Sequence, residues 1–167
     1  LAHEPGQFFT KLNRDLHAIL KHAGTPMLTT GFYLVANYKT GVMRYANAGH
    51  PKPLLIRRNK NIVEPLSNIG GKSQPVLGLF EEAVYHTSEV KFAPQDLVML
   101  FTDGLYEVQD EQQELYTQAM LVSDVSERSQ LPTSDLFDQL IDRMQRFSAD
   151  GKFSDDVCMV GIEAAEL

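Results

Sequence analysis

The sequence predicts an α+β fold with largely antiparallel sheets, and three observations carry that reading. Helical and strand-like segments come in blocks rather than alternating: a helix, several strands, two helices and a final strand. The strand-like runs are paired across short loops, as antiparallel hairpins are. Hydrophobic residues make up 43% of the 167 residues, enough for one core, and no repeat or linker divides the chain. Residues 1–167 are therefore expected to form a single domain.

The first helix opens at Pro5, whose fixed φ suits a first turn. Phe9, Leu12, Leu16, Ile19 and Leu20 recur at three- and four-residue spacing and predict one apolar stripe, with Gly24 and Pro26 ending the helix. Residues 27–37 are rich in Thr, Phe, Tyr, Leu and Val, which suit a pleated surface. Lys39-Thr40-Gly41 interrupts the run and residues 42–46 resume it, giving a hairpin. A second hairpin pairs residues 54–57 with 62–64, around Arg58-Asn59-Lys60-Asn61 read as a solvated turn. Gly70, Gly71, Pro75 and Gly78 make residues 67–79 a loop.

Residues 83–91 and 97–101 read as further strands, turned by Pro94-Gln95-Asp96. A short helix over 117–125 would turn Met120, Leu121 and Val125 inward. Pro132-Thr133-Ser134-Asp135 opens a longer helix with Leu136, Phe137, Leu140, Ile141, Met144 and Phe147 at apolar positions, and Asp135 where the helix dipole favours an acid. Residues 157–162 form the last strand, with Cys158 a small buried hydrophobe inside it.

Charge and cysteine content narrow the function. Fifteen Lys and Arg against 22 Asp and Glu leave a net charge of −7. A nucleic-acid binder would show a basic stripe instead, so no nucleic-acid partner is expected. An acidic chain is compatible with gathering divalent cations. No apolar run approaches the roughly 20 residues of a membrane span, so no membrane partner is expected. One cysteine supports neither a disulfide framework nor a thiolate zinc cage, and a cytoplasmic setting is the default expectation.

Two acidic positions stand out. Asp103 follows the apolar run Leu97-Val98-Met99-Leu100-Phe101 and precedes Gly104; Asp155 and Asp156 precede the apolar run of the last strand. Carboxylates at strand ends meet at a sheet rim without being buried unpaired. Mg²⁺ and Mn²⁺ prefer such oxygens and also bind phosphate. The same residues also suit plain roles: Asp-Gly after a strand as a turn, and Asp-Asp before one as a loop cap. His50 could exchange a proton near neutral pH, or could belong to a tight Gly49-His50-Pro51 turn. Glu107 orients the loop after Asp103 or is a surface acid, and Asp150 could reach an additional cation.

Four motifs in order carry a family resemblance. Tyr45-Ala46-Asn47-Ala48-Gly49-His50-Pro51, Gln74-Pro75-Val76-Leu77-Gly78-Leu79, Leu100-Phe101-Thr102-Asp103-Gly104-Leu105-Tyr106-Glu107 and Ser154-Asp155-Asp156-Val157 resemble the SpoIIE/RsbU branch of the metal-dependent protein phosphatases. These are similar to protein phosphatase 2C, and the resemblance runs from about Pro5 to Ile162. It implies an α/β/β/α sandwich with two Mn²⁺ or Mg²⁺ ions at one end of the sheets. It implies Asp103 and Asp155 as catalytic metal ligands, Asp156 as a neighbouring metal-binding acid, and Gly104, Gly49 and His50 in support. Water attacks a phosphoserine or phosphothreonine in line in such enzymes.

The implied role is a serine/threonine phosphatase in a bacterial signalling pathway. Its substrate would be a phosphorylated partner such as an anti-sigma-factor antagonist, and a sensor or receiver domain would precede it. The family's first metal motif, an Asp-Val or Asp-Gly after an early strand, normally lies before the opening helix and is not found in residues 1–26. With Leu at position 1, the chain is expected to be the C-terminal part of an N-terminally truncated domain, its metal site completed upstream. The alternative is an inactive phosphatase-fold binding module.

Overall fold

Helix α1 (Pro5–Ala23) forms where the three- and four-residue spacing places it, and its inner face shows what that spacing means physically. Phe9 is buried and Leu16 and Leu20 are half-buried, but Leu12 is 37% and Ile19 64% exposed. The centre of the inner face is Asn13, fully buried. Its Nδ2 donates to the carbonyl of Phe80 at 2.8 Å, while its Oδ1 accepts from the Gly78 amide at 2.8 Å. The Tyr85 hydroxyl also donates to Oδ1, at 3.3 Å. A buried amide is tolerated because its donor and acceptor are both used.

The computed structural model describes residues 2–23 and 27–164, so Gly24 and Pro26, expected to end α1, lie outside the described residues. Two compact units share the chain: Leu1–His50 with Ser67–Ala93, and Pro51–Leu66 with Pro94–Leu167.

The first unit holds α1 and a three-stranded sheet in the order β1 (Gly31–Asn37), β2 (Val42–Ala48), β5 (Ser88–Lys91), both ladders antiparallel. The expected hairpin is present, although its first strand starts at Gly31 rather than at residue 27. Of residues 83–91, only the last four are strand; before them the backbone serves α1, with the Tyr85 amide donating to Thr10 Oγ1. Phe9, Ala46, Ala48, Leu77 and Tyr85 form the buried cluster.

The second unit holds a four-stranded antiparallel sheet ordered β4 (Ile62–Pro65), β3 (Leu54–Arg57), β6 (Asp96–Phe101), β7 (Met159–Glu163). Helix α2 (Gln118–Glu127) begins at Thr117, whose side chain accepts from the Met120 amide, and helix α3 (Thr133–Phe147) follows. Leu121, Val125, Leu136, Leu140 and Met144 pack with Leu54, Ile56, Leu97, Met99 and Phe101 in one core. Met120, expected inward, is only half-buried, and the third buried α2 residue is Asp124. Asp124 accepts from the Tyr116 hydroxyl and pairs with Arg128 and Arg143.

Two expectations are corrected here. Arg58 is not part of a solvated turn: its guanidinium donates to the carbonyls of Ser129 and Leu131, to Thr133 Oγ1 and to Glu163. It donates to two main-chain carbonyls of the connection from α2 to α3. Cys158 is not a buried strand residue; it is exposed and precedes β7. Among the described residues no helix is long and apolar enough to cross a membrane.

Candidate metal centre

Strand pairing builds the centre. β6 and β7 run antiparallel with Phe101 opposite Met159. Beyond that pair the two chains stay laced: the Thr102 amide donates to the Cys158 carbonyl at 3.0 Å. The Thr102 hydroxyl accepts from the Cys158 amide at 2.9 Å and donates to the Asp156 carbonyl at 2.9 Å. The next residues of the first segment, Asp103 and Gly104, thereby lie beside the segment that carries Asp155 and Asp156.

Gly104 makes that approach possible. A Cβ built on it would lie 2.6 Å from the Asp156 carbonyl oxygen and 3.1 Å from the Asp155 carbonyl carbon and oxygen, so two main chains are in contact where any larger residue would part them. After Gly104 the chain turns: the amides of Tyr106 and Glu107 both donate to the Asp103 carbonyl at 2.9 Å. Across the gap, Ser154 Oγ donates to the Glu107 carbonyl at 2.7 Å. Glu107 therefore joins the two segments through its main chain, and its carboxylate is exposed.

Asp103, Asp155 and Asp156 are all exposed. Asp103 Oδ1 accepts from the Gly104 amide at 3.1 Å and Asp155 Oδ1 from the Asp156 amide at 2.7 Å. The ion pairs among this unit's described residues gather on Arg57, Arg58, Arg128 and Arg143 and include none of the three acids. Burial raises the Tyr106 hydroxyl pKa above the ordinary value, and the charges of Asp103 and Glu107 raise it further. Un-neutralised carboxylates on adjoining segments are the donor set a hard cation takes. Among the described residues, no group of three or more His, Cys, Asp or Glu converges tightly enough to enclose an ion. Asp150 is spent locally: its Oδ1 accepts from Ser148 Oγ and the Lys152 amide, both at 3.0 Å.

Gly49 and His50 lie in the first unit, just past β2. The His50 amide donates to Asn47 Oδ1 and Asn47 Nδ2 donates to the His50 carbonyl, both at 2.9 Å. Gly49 has φ +71°, and a Cβ there would sit 2.5 Å from Val76 Cγ1. Two of the motifs thus meet, with Gly49 resting on Val76. The geometry is that of a clamped tight turn, with the half-buried His50 ring 6.1 Å from that of Phe32. Neither Asn47 nor Thr102 stands out by chemistry in the sequence. Their only signal is membership in the motifs.

The fold is of the protein phosphatase 2C type. The SiaA-PP2C domain of Pseudomonas aeruginosa superposes with a TM-score of 0.77 at 14% identity, over 96% of this chain and 61% of that one. The chain belongs to the family described as Stage II sporulation protein E (SpoIIE), whose model matches residues 1–165. Phosphoserine phosphatase RsbP of Bacillus subtilis is 24% identical over 160 residues, and Protein IcfG of Synechocystis sp. is 23% identical over 143. The matches cover 95% and 85% of this chain but only 37% and 22% of those proteins.

Proposed function

We propose that the chain is the C-terminal part of a metal-dependent serine/threonine phosphatase domain, read as one domain over residues 1–167. Its substrate is a phosphorylated protein of a bacterial signalling pathway, such as an anti-sigma-factor antagonist. It works in the cytoplasm, downstream of a sensor or receiver domain in the same protein. The observation that carries the reading is the contact of Gly104 with the Asp155–Asp156 main chain, which joins acids 52 positions apart at one strand end.

In this reading Asp103 and Asp155 hold Mn²⁺ or Mg²⁺ with Asp156 beside them, and further ligands from upstream complete a two-ion site. Bound ions would supply positive charge for phosphoryl oxygens and a more acidic water. Thr102 fixes the spacing of the two acid-bearing segments, and Gly104 lets them touch. Gly49 and His50 contribute a shaped turn; no proton transfer is assigned to His50.

The experiment is hydrolysis of p-nitrophenyl phosphate by the full-length protein with Mn²⁺. Asp103→Asn should reduce the rate by at least about 100-fold, the scale of losing a charged group aimed at the transition state, without unfolding the protein. Equal rates would remove Asp103 from the mechanism. The second reading is an inactive binding module that keeps the fold. Isothermal titration of the full-length protein with Mn²⁺ separates the two, since the module would take up no ion.

A further inference from the structure

The second unit contains a groove of about 740 Å³ whose lining includes Glu107 and Ser154, near neighbours in sequence of the candidate metal centre's acids. Glu107 and Ser154 are bonded to each other, and Asp155 follows Ser154 directly. Val108 and Tyr116 form a buried floor, Tyr106 and Phe153 are half-buried, and Leu115 stands on the wall at 57% exposure. A bridge between Gln109 and Leu115 closes the wall into a loop that carries Asp110, Glu111 and Glu114.

The lining itself has Glu107 and Asp150 against one cation, Lys152. The Asp110 carboxylate is fixed by the amides of Gln112 and Glu114, both at 2.9 Å. Hydrogen bonds from the Lys152 amide and the Ser148 hydroxyl hold the Asp150 carboxyl below its usual pKa. An apolar floor whose lining carries two carboxylates against one ammonium is complementary to a basic and apolar peptide rather than to a second acidic surface.

We propose that this groove docks the segment of the phosphoprotein substrate adjoining its phosphorylated residue, and that this segment carries Lys or Arg together with a large apolar side chain. The apolar side chain covers the Phe153 and Leu115 surface while the cation meets Glu107. The inference rests on the phosphatase reading, and its test is a binding test so that the two can fail separately.

The full-length protein with Mn²⁺ is titrated into fluorescein-labelled peptides that contain the non-hydrolysable phosphonate analogue of phosphoserine. One peptide is flanked by Arg and Leu, the other by Glu and Ser. The Arg/Leu peptide should bind about tenfold more tightly, and the preference should shrink in high salt. Ala149→Trp fills the groove from an exposed position and should abolish the preference; Leu115→Ala, a milder change at an exposed site, should weaken it severalfold. Equal binding of both peptides, or a preference untouched by Ala149→Trp in a protein of normal melting temperature, overturns the docking groove. A retained peptide preference with no p-nitrophenyl phosphate hydrolysis overturns the phosphatase reading alone.

Discussion

Replacing Gly104 with Ala tests the contact on which the centre is built. The new Cβ would lie 2.6 Å from the Asp156 carbonyl oxygen, 0.8 Å short of the 3.4 Å at which ordinary contact begins. The opposing atoms are main chain on a segment tied by three hydrogen bonds from or to Thr102, so no side chain can swing aside. Overpacking of this kind costs about 1–3 kcal/mol. Against it stands the loss of unfolded-chain freedom on Gly→Ala, which stabilises by about 0.4–1 kcal/mol. At the middle of both ranges the clash wins, leaving a net loss of roughly 1 kcal/mol, or about 2–4 °C in melting temperature for a chain of this size.

Gly31→Ala is the control. Its nearest atoms are side-chain tips, Phe9 Cζ at 3.1 Å and Leu77 Cδ1 at 3.4 Å, which can yield, so its melting temperature should move by no more than about 2 °C. Hydrolysis should separate the two further. A shift approaching 1 Å between Asp103 and Asp155 should lower kcat/KM about 100-fold in Gly104→Ala, far beyond its stability loss. A Gly104→Ala protein that melts with the parent and keeps its rate would refute the main-chain contact.

Two other outcomes follow from single groups. Thr102→Val removes a hydroxyl that both accepts from Cys158 and donates to Asp156, and should destabilise by about 1–2 kcal/mol in urea unfolding, whereas Thr102→Ser should keep most of that. Glu163 accepts from Thr133 and Arg58, and those hydrogen bonds hold its carboxyl below the ordinary value. A depressed folded-state pKa contributes stability that is present above the unfolded carboxyl pKa of about 4.3 and is lost as pH falls through the folded value. Glu163→Gln should therefore flatten the acid limb of the stability curve in thermal melts below about pH 5; an unchanged limb would mean the carboxylate gains nothing from Arg58.

Much of the fold was legible because it is local. The two hairpins and the three helices follow from spacing and turn residues, and Thr117 caps α2 where a helix was expected. What escaped reading depends on partners far along the chain. Asn13 looks like a break in an apolar stripe, yet it is the centre of the buried face because residues 78–85 return to satisfy it. Arg58 sits in a run of polar residues that resembles a solvated tip, and only the distant 129–133 segment makes it internal.

For the centre, the sequence places Asp103 and Asp155 at strand ends. Periodicity does not say that those two strands are neighbours, nor that Phe101 faces Met159, and the juxtaposition needs both. Thr102 was silent for the same reason, since a hydroxyl acquires meaning only from the carbonyl and amide opposite it.

Asn13 has a mechanical consequence. Its amide grips Gly78, Phe80 and Tyr85 from a position shielded from water, while His17 reaches the Gly78 carbonyl and Thr10 holds the Tyr85 amide. Local opening of that loop would have to release every one of these bonds together, because a half-freed amide in a dry interior has nothing to replace them. Helix α1 and residues 78–85 are thus tied by five hydrogen bonds at Thr10, Asn13 and His17.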